Sequence, residues 1–200
     1  MSRRVAIVAM LIVAALAGVW LVFSTAPRWL GHASVTAPAA SAPGSPTAER
    51  KIKATLYYIS EDGLSLVATE RDVSFGDSIV EQARRIVEAQ LEGPPPAPLA
   101  SAIPEGTALR SLFISDRGDA FVDLSPEITT KHPGGALNEL FTVYVLVDAL
   151  TVNLPSITRV QILVNGKETD TLAGHVDVRH PLTKSLKWLA TQPEPAAGNQ

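Results

Sequence analysis

The sequence predicts an α/β (α+β) fold, in which a small mixed sheet carries two packed helices. Three observations support this class. Residues 108–124 have the pattern of a β-hairpin, residues 79–91 have the periodicity of an amphipathic helix, and residues 136–152 form a long apolar helix pattern. The predicted order of elements is β-β-α-β-β-α-β, and we expect the hairpin to form the middle of the sheet.

One transmembrane helix is predicted before this domain. Residues 5–23 are 19 residues without a charge, and a helix of that length covers about 28 Å of the ~30 Å hydrocarbon core. Arg3 and Arg4 precede the run, so the positive-inside rule keeps the N-terminus in the cytoplasm and exports the rest. We therefore expect a single-pass protein of the cytoplasmic (inner) membrane with an extracytoplasmic domain.

A cleaved signal peptide is the alternative to this anchor. Residues 15–17 and 24–26 both match the small-residue pattern that signal peptidases accept. The apolar run continues past the first site, however, and Pro27 follows the second. An uncleaved anchor is therefore favoured, and the domain is expected outside the cytoplasm in either case.

Alanine and proline dominate the segment after the anchor. Pro38, Pro43 and Pro46 lie among alanines and serines, a composition that favours extended polyproline II and buries no core. We interpret this segment as a spacer. The predicted division is an anchor in residues 1–30, a linker in 31–50, a folded domain in 51–190 and a disordered tail in 191–200.

The first half of the domain is predicted to contain a strand pair and a helix. Residues 54–60 have the β-branched and aromatic content of a strand, and residues 64–75 return after a turn. Ser78 and Glu81 form a capping box, while Gly93 ends the helix. The apolar face of this helix is predicted to contain Ile79, Val80, Ala83, Ile86, Val87 and Leu91.

The second half follows the hairpin, whose loop is predicted at residues 116–119. The second helix follows Gly134-Gly135 and is apolar on nearly every side, so we expect it to be buried on more than one face. Residues 159–164 form the next strand, which ends at Asn165-Gly166. Residues 175–179 are a candidate edge strand.

Composition excludes several classes of function. The chain contains no cysteine, which rules out a disulfide scaffold, a thiolate metal site, a cysteine nucleophile and a lipid-modified cysteine. Residues 51–200 hold 13 Lys and Arg against 19 Asp and Glu, without a basic run. Because nucleic-acid binding relies on clustered basic side chains that neutralise phosphates, we expect no nucleic-acid partner.

Seven short motifs in order give the sequence a resemblance to the GerMN domain, a family named after a spore-germination and sporulation protein. The motifs are LYYIS (56–60), LEGPP (91–95), IPEGT (103–107), FVDLS (121–125), the GG-opened helix, NLP (153–155) and VQILVNG (160–166). The resemblance covers residues 52–182. It implies a compact α/β domain, related to ring-building modules of secretion and sporulation machinery, that acts in envelope assemblies near peptidoglycan and carries no catalytic residues.

The histidines do not form a metal-binding motif. His32, His132, His175 and His180 include no HExxH pair. His175 and Asp177 would share one face of the candidate edge strand, where His180 would complete a metal site. A solvated edge strand explains these residues better, so no metal or cofactor is predicted.

Two other groups resemble known functional patterns. Ser125, Asp123 and His132 are the residue types of a catalytic triad, but the serine lacks a GxSxG elbow, and a turn or cap is favoured. Arg117-Gly118-Asp119 matches an integrin-binding tripeptide. In a hairpin loop, glycine supplies backbone freedom and the charges supply solvation, which explains that tripeptide without a receptor.

Aromatic and glycine residues provide the last candidates. Tyr57, Tyr58 and Trp188 are able to stack on a sugar, although a tyrosine pair in a strand more often has one ring in the core and one on the surface. Gly134-Gly135 precedes a helix whose N-terminus favours anions. No Lys-Ser/Thr motif accompanies the glycines, so a flexible helix start is favoured.

These observations predict a non-catalytic module, without a cofactor, that is anchored in the membrane and binds proteins of a cell-envelope assembly. The resemblance implies a sporulation- or germination-like or peptidoglycan-associated assembly. The expected partners are envelope proteins and copies of the chain itself. A module that binds glycan, peptidoglycan or another small ligand is the alternative.

Overall fold

A computed structural model of the chain describes residues 50–95 and 98–190. The predicted transmembrane helix, His32, all but the last residue of the predicted linker and the predicted tail lie outside the described residues. The described residues all belong to one compact unit.

The order of the main elements is the one that the sequence predicts, with short elements added. The strands are β1 Lys51–Ile59, β2 Leu66–Ser74, β3 Leu109–Ile114, β4 Asp119–Leu124, β5 Arg159–Val164, β6 Lys167–Glu168 and β7 Leu182–Thr183. The helices are α1 Ile79–Leu91, α2 Glu127–Thr130 and α3 Ala136–Asn153, and a 3-10 turn spans Leu186–Trp188.

The strands form two sheets instead of the single sheet expected. Among the strands of the described residues, β1 and β2 pair with each other, antiparallel, and with no other strand. The second sheet has the order β3-β4-β5-β6, with β7 also on β5. This second sheet is mixed, because β4 and β5 are parallel and the other pairs are antiparallel. Within the hairpin, β4 is central as predicted, but β3 lies at the edge.

Side-chain amides occupy the edge of β1 that faces away from β2, so no third strand joins this sheet there. The Asn153 amide accepts from Thr55 N at 2.8 Å and donates to Thr55 O at 2.7 Å. The Gln90 amide does the same at Tyr57, at 3.0 and 2.7 Å. A bridge from Ile59 to Ala100 completes the edge. Because these groups satisfy the backbone as a neighbouring strand would, the inner edge of β1 is closed.

Helix α1 begins and ends where its sequence predicts. Ser78 Oγ accepts from Glu81 N at 3.1 Å, and Gly93 adopts a φ of 86° after the last turn. The buried face differs from the prediction, since Ile79 is 40% exposed while Gln82 and Gln90 are buried. These two glutamines are buried because their amides bond to the backbone at Gly76 and Tyr57.

Helix α3 is the core helix of the fold. Its length and composition would suffice to cross a membrane, but 61% of it is buried inside the protein. It contacts α1 and strands β1, β5 and β7, which confirms the predicted burial on more than one face. Two acidic residues, Glu139 and Asp148, are fully buried on it.

The segment after β5 departs from the prediction. Asn165 and Gly166 have φ of 52° and 76° and turn the chain into the short strand β6. Residues 175–179 form no strand. Leu182–Thr183 pairs with β5 instead, because Leu172, Ala173 and His175 are bound to Glu139.

Candidate interaction face

The sheet of β3, β4 and β5 has one apolar face and one mixed face. The strand register places Ala120, Val122 and Leu124 beside Val160 and Ile162 on the inner face, and all five are buried. The alternate residues point to the opposite side. This outer face is only partly covered, so it is the place to look for contacts with other molecules.

An aromatic pair lies in the open part of the outer face. Phe113 on β3 is opposite Phe121 on β4, and their ring centroids are 6.1 Å apart. Phe113 is 63% exposed, so most of its ring contributes nothing to the packing of the domain. Its position on an edge strand leaves the ring accessible from the face and from the edge.

Two arginines flank the aromatic pair, and each is held by a buried aspartate. Arg159 Nε and Nη2 bond to the two carboxylate oxygens of Asp119 at 2.7 and 3.0 Å. Arg110 Nε bonds to Asp123 Oδ2 at 3.2 Å. The aspartate side chains are 4% and 8% exposed, whereas those of the arginines are 43% and 47% exposed. The carboxylates therefore fix the guanidinium groups from below and leave their outer sides in solvent.

We call Phe113, Phe121, Arg110 and Arg159 the phenylalanine–arginine face. Arginine and aromatic side chains are enriched at protein interfaces and among the residues that carry binding energy. Ordering an arginine before binding reduces the entropy that association costs. This arrangement is suited to binding, and it contains no nucleophile or general base.

Glu139, in the first turn of α3, is a buried carboxylate with a full set of partners. Its Oε1 accepts from Leu172 N and Ala173 N, both at 2.8 Å. Its Oε2 accepts from His175 N at 2.7 Å, and His175 Nδ1 lies 3.3 Å away. Burial opposes its ionisation, but the backbone N–H groups outweigh burial and lower the pKa of Glu139. The carboxylate anchors the loop and has no free oxygen for chemistry.

Asp148, nine residues further along the same helix, is a buried carboxylate with few partners. Its Oδ1 accepts from Ser185 N at 2.9 Å, while Oδ2 has no hydrogen-bond partner among the described residues. Burial raises the pKa of Asp148 to about 6, against the lowering effect of Ser185 N. Burial and Asp148 also raise the pKa of Tyr57 to about 12.

A perturbed carboxyl group suggests catalysis only where it faces a cleft. A cleft of about 330 Å³ near the end of α3 is lined by Thr151, Val152, Pro155, Ile157, Thr158 and Lys184. A smaller groove of about 150 Å³ lies between β2 and α1. Asp148 lines neither of these two clefts and is fully buried.

The structure does not assemble the candidate triad. Ser125 Oγ accepts from Ala108 N at 2.9 Å, as the turn-or-cap interpretation predicts. Asp123 bonds to Arg110 and to Gly166 N. His132 bonds to Thr142 and Gly134 N. The three side chains thus have separate structural partners.

The candidate metal residues are likewise separate. His175 contacts Glu139, and Asp177 forms an exposed ion pair with Arg179 at 2.6 Å. Among the described residues, no group of three His, Asp or Glu side chains is arranged to hold a metal ion.

The RGD tripeptide is only partly solvated. Arg117 is 84% exposed, but the Asp119 side chain is 4% exposed and bound to Arg159. Gly118 has a φ of 80°, and a Cβ there would lie 2.4 Å from Ser156 O. The expectation that solvation explains both charges is therefore wrong for Asp119, whose role is to hold Arg159.

The tyrosine prediction is also wrong. Tyr57 and Tyr58 are both buried, at 2% and 0% exposure, because both α1 and α3 pack against β1. Tyr58 Oη accepts from Arg71 Nη1 at 3.1 Å, and Trp188 packs against Tyr144 with ring centroids 6.4 Å apart. Gly134-Gly135 is the start of α3, with φ of 81° and 87°.

The phenylalanine–arginine face is not among the candidate sites that the sequence suggests. The available signal was the run Leu112-Phe113-Ile114, in which three apolar residues in succession must place one side chain on the opposite side of the sheet. Whether that side is covered depends on the residues that follow β5, and no local pattern predicts their path.

Comparison with known proteins identifies the family. A family model described as Germane, sporulation and spore germination, matches residues 55–170. A search of curated proteins found no match.

Solved structures share the fold. A candidate lipoprotein from Clostridium perfringens is 26% identical, with a TM-score of 0.50, and the match covers 67% of this chain and 88% of that one. The tandem GerMN domains of the sporulation protein GerM from Bacillus subtilis are 20% identical, with a TM-score of 0.52 and coverage of 67% and 46%. The chain thus spans about half the length of the tandem structure.

Proposed function

We propose, from the premise that the chain belongs to the Germane family of sporulation and spore germination, that it binds other proteins of a cell-envelope assembly and catalyses no reaction. In this proposal residues 1–30 hold the chain in the cytoplasmic membrane and residues 31–50 are a spacer. The folded part, residues 51–190, then lies outside the cytoplasm. Its partners are envelope proteins, copies of the chain included.

The phenylalanine–arginine face is the observation that carries this proposal. Phe113 is 63% exposed, so a partner that covers its ring removes a large apolar area from water. The burial of apolar area drives most protein association. Arg110 and Arg159, already fixed by Asp123 and Asp119, add donors for polar groups at the rim of the contact.

The tether increases the effect of a weak contact. A chain confined to a membrane meets its partners at a raised effective concentration, so a small face is able to support assembly. This explains how a domain without a large apolar patch would function in a complex.

The experiment places a photoreactive amino acid in the full-length chain in living cells, either at Phe113 or at the control position Leu64. Leu64 is 70% exposed and lies in the turn between β1 and β2. We expect the probe at position 113 to capture a protein partner several-fold more than the control does. Deletion of residues 5–23, with export retained, should weaken that capture.

Glycan binding is the competing outcome, because an exposed ring beside arginines also suits a sugar that carries a carboxylate. Purified full-length protein is therefore incubated with muropeptides. The proposal is overturned if position 113 captures no protein while the purified chain binds or hydrolyses a cell-wall fragment.

A further inference from the structure

The edge of β3 differs from the edge of β1 in having no partner. Phe113 is paired with Phe121, and Ser115 N donates to Asp119 O at 2.9 Å. Antiparallel pairing alternates, so the N–H and C=O groups of Leu112 and Ile114 point away from β4. These groups make no hydrogen bond within the described residues.

This edge is complementary to itself. A twofold axis through Phe113 places Leu112 of one copy opposite Ile114 of the other, where the two outward-pointing backbones exchange hydrogen bonds. The two Phe113 side chains then meet at the axis on the exposed side of the sheet. The sequence around position 113 is apolar on both sides, which suits this contact.

The contact between the two rings selects the register. A β-bulge lies between Leu109 and Ser111, so the regular part of the strand begins at Ser111. With the axis at Phe113, Ser111 of each copy lies opposite Ser115 of the other, within this regular part. With the axis at Leu112 instead, Phe113 lies opposite Ser111, and the ring contact is lost.

We propose that β3 pairs antiparallel with β3 of a second copy of this chain, centred on Phe113, to join two sheets into one. This inference rests on the proposed function and names one partner for the phenylalanine–arginine face. Six residues of edge, Leu109–Ile114, form a smaller contact than a standard stable interface. The pair is therefore expected on the membrane, where tethering concentrates the chains, and not in dilute solution.

The test uses the fact that the chain contains no cysteine. Directly opposite residues in a non-hydrogen-bonded antiparallel pair have Cα atoms ~4.5 Å apart, within the range that a disulfide spans. Phe113→Cys in the full-length, membrane-bound chain should form disulfide-linked dimers under mild oxidation. The control Leu64→Cys, at an equally accessible site in the β1–β2 turn, should form several-fold less.

Two further pairs of cysteines test the register. Ser111→Cys and Ser115→Cys in differently tagged chains should form a mixed disulfide and leave Phe113 in place. Ser111→Cys with Phe113→Cys should form little, because those positions are not opposite each other.

The proposal is overturned if Phe113→Cys forms no more dimer than Leu64→Cys, or if the Ser111–Phe113 combination forms the most. A photoreactive group at position 113 that captures a different protein, with no disulfide dimer, would overturn self-pairing and leave the proposed function intact. Circular dichroism of each variant identifies any that fails to fold, and the Ser111–Ser115 pair then serves in place of Phe113→Cys.

Discussion

The first turn and the middle of helix α3 bury the same chemical group in opposite ways. Glu139 and Asp148 are both 0% exposed. Glu139 accepts three backbone N–H bonds, whereas Asp148 accepts one and leaves an oxygen unpaired. The pKa of Glu139 is lowered and that of Asp148 is raised to about 6. The two carboxylates are equally buried, so the number of backbone N–H donors that each one accepts from decides the direction of its pKa shift.

This difference assigns the two residues different roles. Glu139 binds residues 172–175 to the helix and fixes the path of the chain after β5. Asp148 binds only Ser185 N, and burial disfavours its charged form. We expect four substitutions to test the comparison, from the largest effect to the smallest.

Glu139→Gln should cause the largest loss of stability. The substitution removes the charge and places an amide N–H toward backbone N–H donors, which weakens bonds worth roughly 1.5–3 kcal/mol each. We expect a loss of about 3–5 kcal/mol in the free energy of unfolding, measured by denaturant melts of residues 48–200. The control is Glu88→Gln on the outer side of α1. Equal effects at the two sites would contradict the anchoring role.

Gln90→Met extends the comparison to a neutral group. Methionine retains the volume of glutamine but leaves Tyr57 N and O unpaired in the core, at a cost of about 1–3 kcal/mol for each. We expect a loss of about 2–4 kcal/mol in the same melts, with Arg85→Met, on the exposed side of the helix, as the control. A neutral result would show that water replaces the amide and that the edge of β1 is open.

Asp148→Asn should stabilise the domain at neutral pH. The folded pKa of Asp148 is about 6, above the ordinary value of 3.8. The wild-type domain is therefore most stable below about pH 4, where Asp148 is protonated in both the folded and the unfolded state. It loses free energy of unfolding as the pH rises through about 6. At ~1.4 kcal/mol per pH unit, the variant should gain up to about 3 kcal/mol above pH 7.

The gain from Asp148→Asn is best measured as a difference between melting temperatures of the variant and the wild type from pH 4 to pH 8. The difference should be near zero at pH 4 and largest above pH 7. Comparison with the wild type cancels other titrations, such as that of His132, whose pKa is lowered by burial. A difference that is constant with pH would show that Asp148 does not titrate in this range.

His175→Ala should have the smallest effect. The imidazole lies 3.3 Å from Glu139 Oε2, but its side chain is 46% exposed, and half-exposed ion pairs contribute about 0–1 kcal/mol. We expect a melting temperature close to that of the wild type. A loss as large as that of Glu139→Gln would mean that the histidine, and not the backbone, holds the carboxylate.

Local signals predicted most of the elements. Ser78 and Gly93 define the ends of α1, Gly118 the hairpin turn, and Gly135 the start of α3, because each of these features depends on residues within one turn of the chain. The family could be recognised for the same reason, since its motifs are these turns and caps in a fixed order.

The number of sheets, the exposed face and the buried carboxylates were decided only by the tertiary structure. Gln90 is 33 residues from its partner Tyr57, and Asn153 is 98 residues from Thr55. A side-chain amide or carboxylate has the same local pattern whether it faces water or a distant backbone group. The sequence by itself therefore determined the main strands and helices. Only the packed chain, by bringing donors and acceptors far apart in sequence to within 3 Å, determined which strand edge is closed, which is open and which acid is charged.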